Sequence, residues 1–245
     1  MPAIITLKNI TKYFQEDHKN ILVLNDISLE IQAGEFFILV GPSGSGKSTI
    51  LRVASGLEKS FKGQVVLSPE VKKGDMSFVF QQFALLPWLT VYENIELGLL
   101  AKKISPKVKH EIVNRELKQF GLEKFARSYP KDLSGGMRQR VGIARALAPD
   151  PKIIFMDEPF SELDSFTAEE LRQELLQIWI QRKPTIIMVT HIVAEALELA
   201  DRVAVLTPRP ARVEKILKNT LPRPRQMRSS DFFLLEDQLY QLIKP

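Results

Sequence analysis

Residues Gly41-Pro-Ser-Gly-Ser-Gly-Lys-Ser-Thr49 constrain the fold more than any other stretch of the chain. They fit G-x-x-x-x-G-K-[ST], with Gly41, Gly46, Lys47 and Ser48 at the fixed positions. Glycines let successive backbone N–H groups turn inward around an anion, and the start of a following helix adds a favourable dipole. Lys47 then reaches the outer phosphates and Ser48 holds Mg²⁺. The flanks agree with this reading. Phe36 to Val40 is an apolar run of core-strand length, and Lys47 to about Gly56 reads as a helix. A flexible Gly/Ser linker has no reason to lie between a buried strand and a helix.

The rest of the chain alternates strand and helix. Ile4 to Ile10 and Val23 to Ile31 alternate apolar and polar residues, the first reading as an exposed strand. Met76 to Phe80 is a further short strand. Lys152 to Met156 and Thr185 to Thr190 are apolar runs behind Pro151 and Pro184, and read as buried strands. Residues 91–126 are charged and helix-forming, which suggests a helical insertion, and Ser134 to Ala148 reads as a helix. Thr167 and Glu170 suggest a capping box for a helix with Leu171, Leu175, Ile178 and Trp179 on one stripe. Strands alternating with helices imply an α/β fold with a mainly parallel sheet.

Composition excludes several classes. The chain has no cysteine, so no disulfide scaffold, cysteine zinc site or thiol nucleophile is available. No stretch approaches the roughly 20 apolar residues of a membrane helix. The N-terminus lacks a basic segment followed by an apolar block, so no signal peptide is expected. The net charge is +5, and residues 201–228 alone carry eight Lys/Arg against Asp201 and Glu214. A solvated terminal segment is the expectation for this stretch. No aromatic residue interleaves with these charges before Phe232, which speaks against nucleic acid as a partner.

Two further stretches carry chemistry. Ile153-Ile-Phe-Met-Asp157-Glu158 is a buried strand ending in two acids, which is costly unless the acids meet a cation or stay wet. Asp157 suits the Mg²⁺ held at Ser48, and Glu158 suits a general base that polarises the attacking water. The same pair alone would also fit a cap before a turn. Leu133-Ser-Gly-Gly-Met-Arg-Gln-Arg140 places Ser134 where a helix should begin, which makes a second anion site. Two copies packed head to tail would bring it against the partner's bound phosphate. Taken alone, it also fits an ordinary serine cap.

Together these motifs resemble the nucleotide-binding subunit of an ABC (ATP-binding cassette) transporter, over about residues 3–225. The resemblance implies a P-loop NTPase of RecA-like type with a small antiparallel β part and an inserted helical subdomain. It identifies Gly41, Pro42, Ser43, Gly44, Ser45, Gly46, Lys47, Ser48 and Thr49 as the Walker A loop. Ser134, Gly135, Gly136 and Gln139 lie in the family signature, and Asp157 and Glu158 close the Walker B strand. Gln81 matches the glutamine that touches Mg²⁺ and the attacking water. Asp164 matches the D-loop aspartate, His191 the switch histidine at the γ-phosphate, and Tyr13 the aromatic that stacks on adenine. ATP and Mg²⁺ are the implied substrate and cofactor.

A finer resemblance is to the importer ATPases of the nitrate, sulfonate and taurine group. It rests on Ala84-Leu-Leu-Pro-Trp88, Thr90-Val-Tyr-Glu-Asn-Ile95, Pro159-Phe160, Leu199-Ala-Asp-Arg-Val203 and Leu221-Pro-Arg-Pro-Arg225. Glu162, Ile192 and Asp132 depart from the family pattern, and none of them removes a catalytic group. The implied layout is an ATPase domain over 1–225, followed by a tail over 226–245. Its catalytic lobe takes about 1–82 and 152–218, and its helical lobe about 83–151. The implied assembly is a homodimer on a membrane permease at the cytoplasmic face, with an extracytoplasmic solute-binding protein. Phe83, Leu85, Leu86, Pro87 and Trp88 suit either a permease contact or the core of the helical lobe. The alternative is an ABC ATPase of another transport system, with a different solute or an export direction, and behind it a soluble non-transport ABC ATPase. The soluble one fits less well, because only one motif set is present. A small-molecule kinase would have no use for Leu133-Ser-Gly-Gly.

Overall fold

The computed structural model describes residues 3–16, 19–72 and 74–243. The chain forms two compact units, 1–71 with 185–245 and 72–184. In chain order, the first unit begins with β1 (Ala3–Glu16), β2 (Lys19–Gln32), β3 (Phe36–Val40), α1 (Lys47–Ala54) and β4 (Lys62–Leu67). The second holds β5 (Met76–Val79), α2 (Val91–Glu96), α3 (Pro106–Gln119), α4 (Gly135–Leu147), β6 (Ile153–Asp157) and α5 (Ser165–Arg182). The first then resumes with β7 (Thr185–Val189), α6 (Val193–Leu199), β8 (Arg202–Leu206), β9 (Val213–Lys218) and α7 (Ser230–Ile243).

In the first unit, β3 pairs in parallel with β7 on one side and β8 on the other, and β9 closes the edge antiparallel to β8. A parallel strand covered on both faces has no solvated side, so all five residues of β3 are apolar and buried. A separate antiparallel sheet has the order β2-β1-β4. Its first two strands run longer than their alternation suggests. Asn9 and Asp26 adopt left-handed backbone near breaks in the β1–β2 register, and these let the pairing continue. Ile5, Leu7 and Ile10 of β1 are buried, so this strand is not the exposed one expected.

In the second unit, β5 and β6 form a parallel pair. The insertion expected over 91–126 resolves into α2, α3 and short 3-10 turns. Helix α5 keeps its predicted stripe, with Leu171, Leu175, Ile178 and Trp179 all buried. Its cap differs from the expectation. Asp164, three residues before Thr167, accepts the Thr167 N–H at 3.0 Å, so Asp164 is the N-cap and Thr167 lies inside the first turn.

The segment Thr90–Ile95 has a structural purpose. Thr90 and Glu93 form a reciprocal capping box at the start of α2. Asn94, fully buried, accepts the Leu86 N–H at 2.8 Å and donates to the carbonyls of Leu86, Leu89 and Thr90. One side chain thus braces the 86–90 turn that carries Trp88. Asn94→Ala strands a buried N–H and carbonyls, and should lower the unfolding free energy by about 1–3 kcal/mol. A urea melt that leaves the midpoint unchanged would refute this.

The basic C-terminal stretch is solvated only in part: Arg209, Arg212, Lys215, Lys218 and Arg228 are exposed, whereas Arg223 and Arg225 pack on α6. The Arg223 guanidinium donates to Asp201 and to the Leu199 carbonyl, and Arg225 donates to the carbonyls of Leu197 and Glu198. The two arginines satisfy the last carbonyls of α6, groups no intrahelical N–H can reach. Burial lowers the pKa of Arg225 to about 10. Beyond them α7 buries Phe232 and Leu239. Residues 244 and 245 of the expected tail lie outside the described residues.

Candidate functional site

The phosphate loop leaves β3 at Gly41 and enters α1 at Lys47. Gly46 stands at the N-cap with φ 91°, a conformation that disfavours any side chain. A Cβ there would also lie 2.8 Å from Leu24 and 3.0 Å from Val23 of β2. A glycine cap carries no side chain that could accept the first-turn N–H groups of α1. The start of α4 differs, because the Ser134 hydroxyl accepts the Met137 N–H at 3.3 Å. Lys47 is 5% exposed and folds over the loop, its Nζ donating to the carbonyls of Gly41 and Pro42 at 3.0 Å each. The Ser45 hydroxyl is buried without a hydrogen-bond partner among the described residues. Ser43 and Gly44 are exposed at the loop's crest, and Ser48 and Thr49 are half-buried in the first turn.

The first unit brings two other predicted residues to this loop. Tyr13 pairs with Leu22 of β2, next to the Val23 and Leu24 on which Gly46 packs, and its ring is 45% exposed. His191 follows β7 two residues after Val189, and Val189 is in register with Leu39, two residues before Gly41. The backbone around His191 is fixed by Thr190, whose hydroxyl donates to buried Glu195 at 2.7 Å and accepts the Ile192 N–H at 3.1 Å.

The second unit gathers its predicted residues around the 157–167 turn. Asp157 ends β6, 4% exposed. Glu158 follows in left-handed backbone with φ 44°, which costs a non-glycine residue about 1–3 kcal/mol and clusters at functional sites. Ser161 braces this turn, its N–H and hydroxyl both donating to the Glu158 carbonyl at 3.2 and 3.0 Å. The Gln81 amide donates to the Ser161 hydroxyl at 3.4 Å. Ser161 therefore joins Gln81 to Glu158, a role that no spacing in the sequence signals. Gly135 and Gly136 open α4 against the same turn. A Cβ on Gly135 would lie 3.9 Å from Leu163, and one on Gly136 would collide with Thr167. Asp164 is exposed, and the hydrogen bond from the Thr167 N–H holds its carboxyl below the usual range.

Gln139 departs from its expected place at the nucleotide. It shares the inward stripe of α4 with Gly136, Ile143 and Leu147, and is fully buried. Its amide has no hydrogen-bond partner among the described residues. It lies one turn inside the helix from Gly135 and Gly136, on the face that packs into the core rather than at the open end where Ser134 stands.

An oxygen donor set of a hydroxyl and carboxylates, without a closed cage, suits Mg²⁺, which keeps waters and substrate phosphates in its shell. Ser48 in the first unit and Asp157 in the second each carry a donor of this kind, and the described residues contain no cluster of three or more His, Cys, Asp or Glu that makes a cage.

A phosphate loop between a parallel strand and a helix places the chain among P-loop proteins. The model of the ABC transporter family matches residues 24–161, and the chain belongs to that family as an ATP-binding subunit. It is 44% identical over 247 residues to an uncharacterized ABC transporter ATP-binding protein of Methanocaldococcus jannaschii, covering 100% of this chain and 92% of the relative. It is 40% identical over 247 residues to an aliphatic sulfonates import ATP-binding protein of Bacillus cereus, covering 97% and 94%. With the nitrate import ATP-binding protein of Synechocystis sp. it shares 37% over 252 residues, covering 98% and 95%. Among solved structures, it resembles a dimeric, post-hydrolysis ATP-binding cassette bound to ADP and Pi. The TM-score is 0.76 at 36% identity, over 87% of this chain and 98% of that one. No helix among the described residues is long and apolar enough to cross a membrane.

Proposed function

We propose that this ATPase subunit of an ABC transport system hydrolyses Mg-ATP in a head-to-tail homodimer and so energises solute import through a membrane permease. The observation that carries the reading is the phosphate loop. Its helix has no side-chain cap at the start, and its lysine is folded into the loop rather than extended into water. Such a cradle offers backbone N–H groups and one cation to a polyphosphate.

The residue roles follow. Tyr13 stacks on adenine. Residues 41–49 hold the phosphates, and Lys47 neutralises charge that develops on the outer ones. Ser48, Asp157 and Gln81 are the groups that would hold Mg²⁺, which acts as a Lewis acid on the phosphoryl oxygens. Glu158 accepts a proton from the attacking water, and His191 orients at the γ-phosphate. Ser134 and Gly135 serve the ATP of the opposite subunit, with Asp164 at the same interface. Trp88, 69% exposed beside half-buried Leu85 and Leu86, suits a permease contact on the cytoplasmic face of the membrane. The names of the sulfonate and nitrate relatives support import of a small anionic solute, and an extracytoplasmic binding protein would deliver it.

Sharing of sites in trans has a direct test. Ser134→Arg should abolish ATP-dependent dimerisation while leaving nucleotide binding to the monomer. Mixed with Lys47→Ala, it should regain activity, because one of the two composite sites is then intact. A mixture that forms heterodimers and yet stays silent would overturn the arrangement.

A further inference from the structure

Residues 207–212 join β8 to β9, and hydrogen bonds fix both ends of this loop. The Thr207 N–H donates to the Arg212 carbonyl at 3.0 Å, and the Arg212 N–H donates to the Thr207 hydroxyl at 2.9 Å. Ala211 exchanges bonds with β2, donating to the Val23 carbonyl at 2.8 Å and accepting the Asn25 N–H at 2.9 Å. Val23 and Leu24 of that strand are also the residues on which Gly46 packs. The 207–212 loop and the phosphate loop therefore share one support.

From this support Arg209 reaches the crest of the phosphate loop. Its Nε donates to the Gly44 carbonyl at 3.3 Å, and a terminal guanidinium nitrogen lies 3.7 Å from where a Gly44 Cβ would be. The two residues are 165 positions apart in the chain. The other N–H donors of this exposed guanidinium make no hydrogen bond to the described residues. In a trans peptide the N–H points opposite to the carbonyl. Holding the Gly44 carbonyl therefore also sets the direction of the Ser45 N–H, which donates to the Pro42 carbonyl at 3.2 Å and closes the turn at the loop's crest.

We propose that Arg209 is a positioning residue for the phosphate loop, fixing the Gly44–Ser45 peptide and with it the Pro42–Ser45 turn that shapes the crest of the loop for a polyphosphate. Its remaining donors add positive charge at the rim of the loop. The inference rests on the reading of this loop as the ATP site. Removing one hydrogen bond to a charged group should weaken nucleotide binding about tenfold.

The experiment compares wild type, Arg209→Gln, Arg209→Lys and Lys47→Ala. It measures kcat and KM for Mg-ATP, Kd for Mg-ADP, and the melting temperature without nucleotide. Arg209→Gln should raise KM and Kd about tenfold, with kcat within about twofold and an unchanged melting temperature. Arg209→Lys keeps a cationic donor and should recover most of that loss. A wild-type KM in Arg209→Gln overturns the proposal, as does a lysine variant no better than glutamine. A lowered melting temperature with a parallel loss of kcat would mark a purely structural residue and also overturns it. Lys47→Ala separates the two levels. If it is inactive while Arg209→Gln is normal, only the role of Arg209 falls. If both are normal, the ATP site itself is wrongly placed.

Discussion

Lys47→Ala is expected to lower kcat for ATP hydrolysis by about 10²–10³, the usual cost of losing one preorganised electrostatic group. The side chain is almost fully buried, and its ammonium already lies 3.0 Å from two loop carbonyls, so little reorganisation precedes the reaction. Alanine is the best helix former and sits at the first position of α1, so the helix should survive. The backbone cradle stays, and nucleotide binding should fall much less than turnover. Steady-state kinetics with saturating Mg-ATP measures the effect, and circular dichroism checks the fold. Hydrolysis within a few-fold of wild type would defeat the assignment of the phosphate loop.

What was legible in the sequence is what depends on neighbours in sequence. The phosphate loop, the Ser134 cap of α4 and the apolar strands β3, β6 and β7 are all set by residues within a turn or two. Position fails where a contact is long-range or where two local readings compete. Thr167 looks like a cap because Glu170 follows three residues on. Asp164 takes that role because it precedes the helix in extended backbone, where its carboxylate reaches the Thr167 N–H. Gln139 belongs to the signature by spacing, but the helical period carries it into the core. Ser161 and Arg209 matter through partners 80 and 165 residues away, and no periodicity encodes such distances. The basic stretch near the C-terminus reads as solvated because charge usually is. Most of it is, but Arg223 and Arg225 find the carbonyls at the end of α6, and the helix beyond them has two apolar residues to bury.

Glu158→Gln should separate ATP binding from hydrolysis, and the strained turn explains why the test is clean. Glu158 holds a left-handed backbone that Ser161 braces through the Glu158 carbonyl, not through its carboxylate. Glutamine has the same shape and the same backbone preferences, so the turn and its link to Gln81 should persist. What glutamine lacks is the ability to accept a proton from water, and loss of a positioned general base typically costs about 10²–10⁴ in rate. The phosphate loop, Ser48 and Ser134 are untouched, so Mg-ATP should still bind and close the dimer. Without hydrolysis to open it, the variant should accumulate as an ATP-held dimer. Asp157→Asn should behave differently. It removes a charge from a nearly buried group at the end of β6 and should weaken Mg-ATP binding itself, leaving monomers. Size-exclusion chromatography or sedimentation in Mg-ATP reports both variants, and chelating Mg²⁺ should dissolve any dimer that the nucleotide holds. If Glu158→Gln turns over ATP at the wild-type rate and stays monomeric at saturating Mg-ATP, Glu158 is not the base. The proposed coupling of hydrolysis to dimer opening would fall with it.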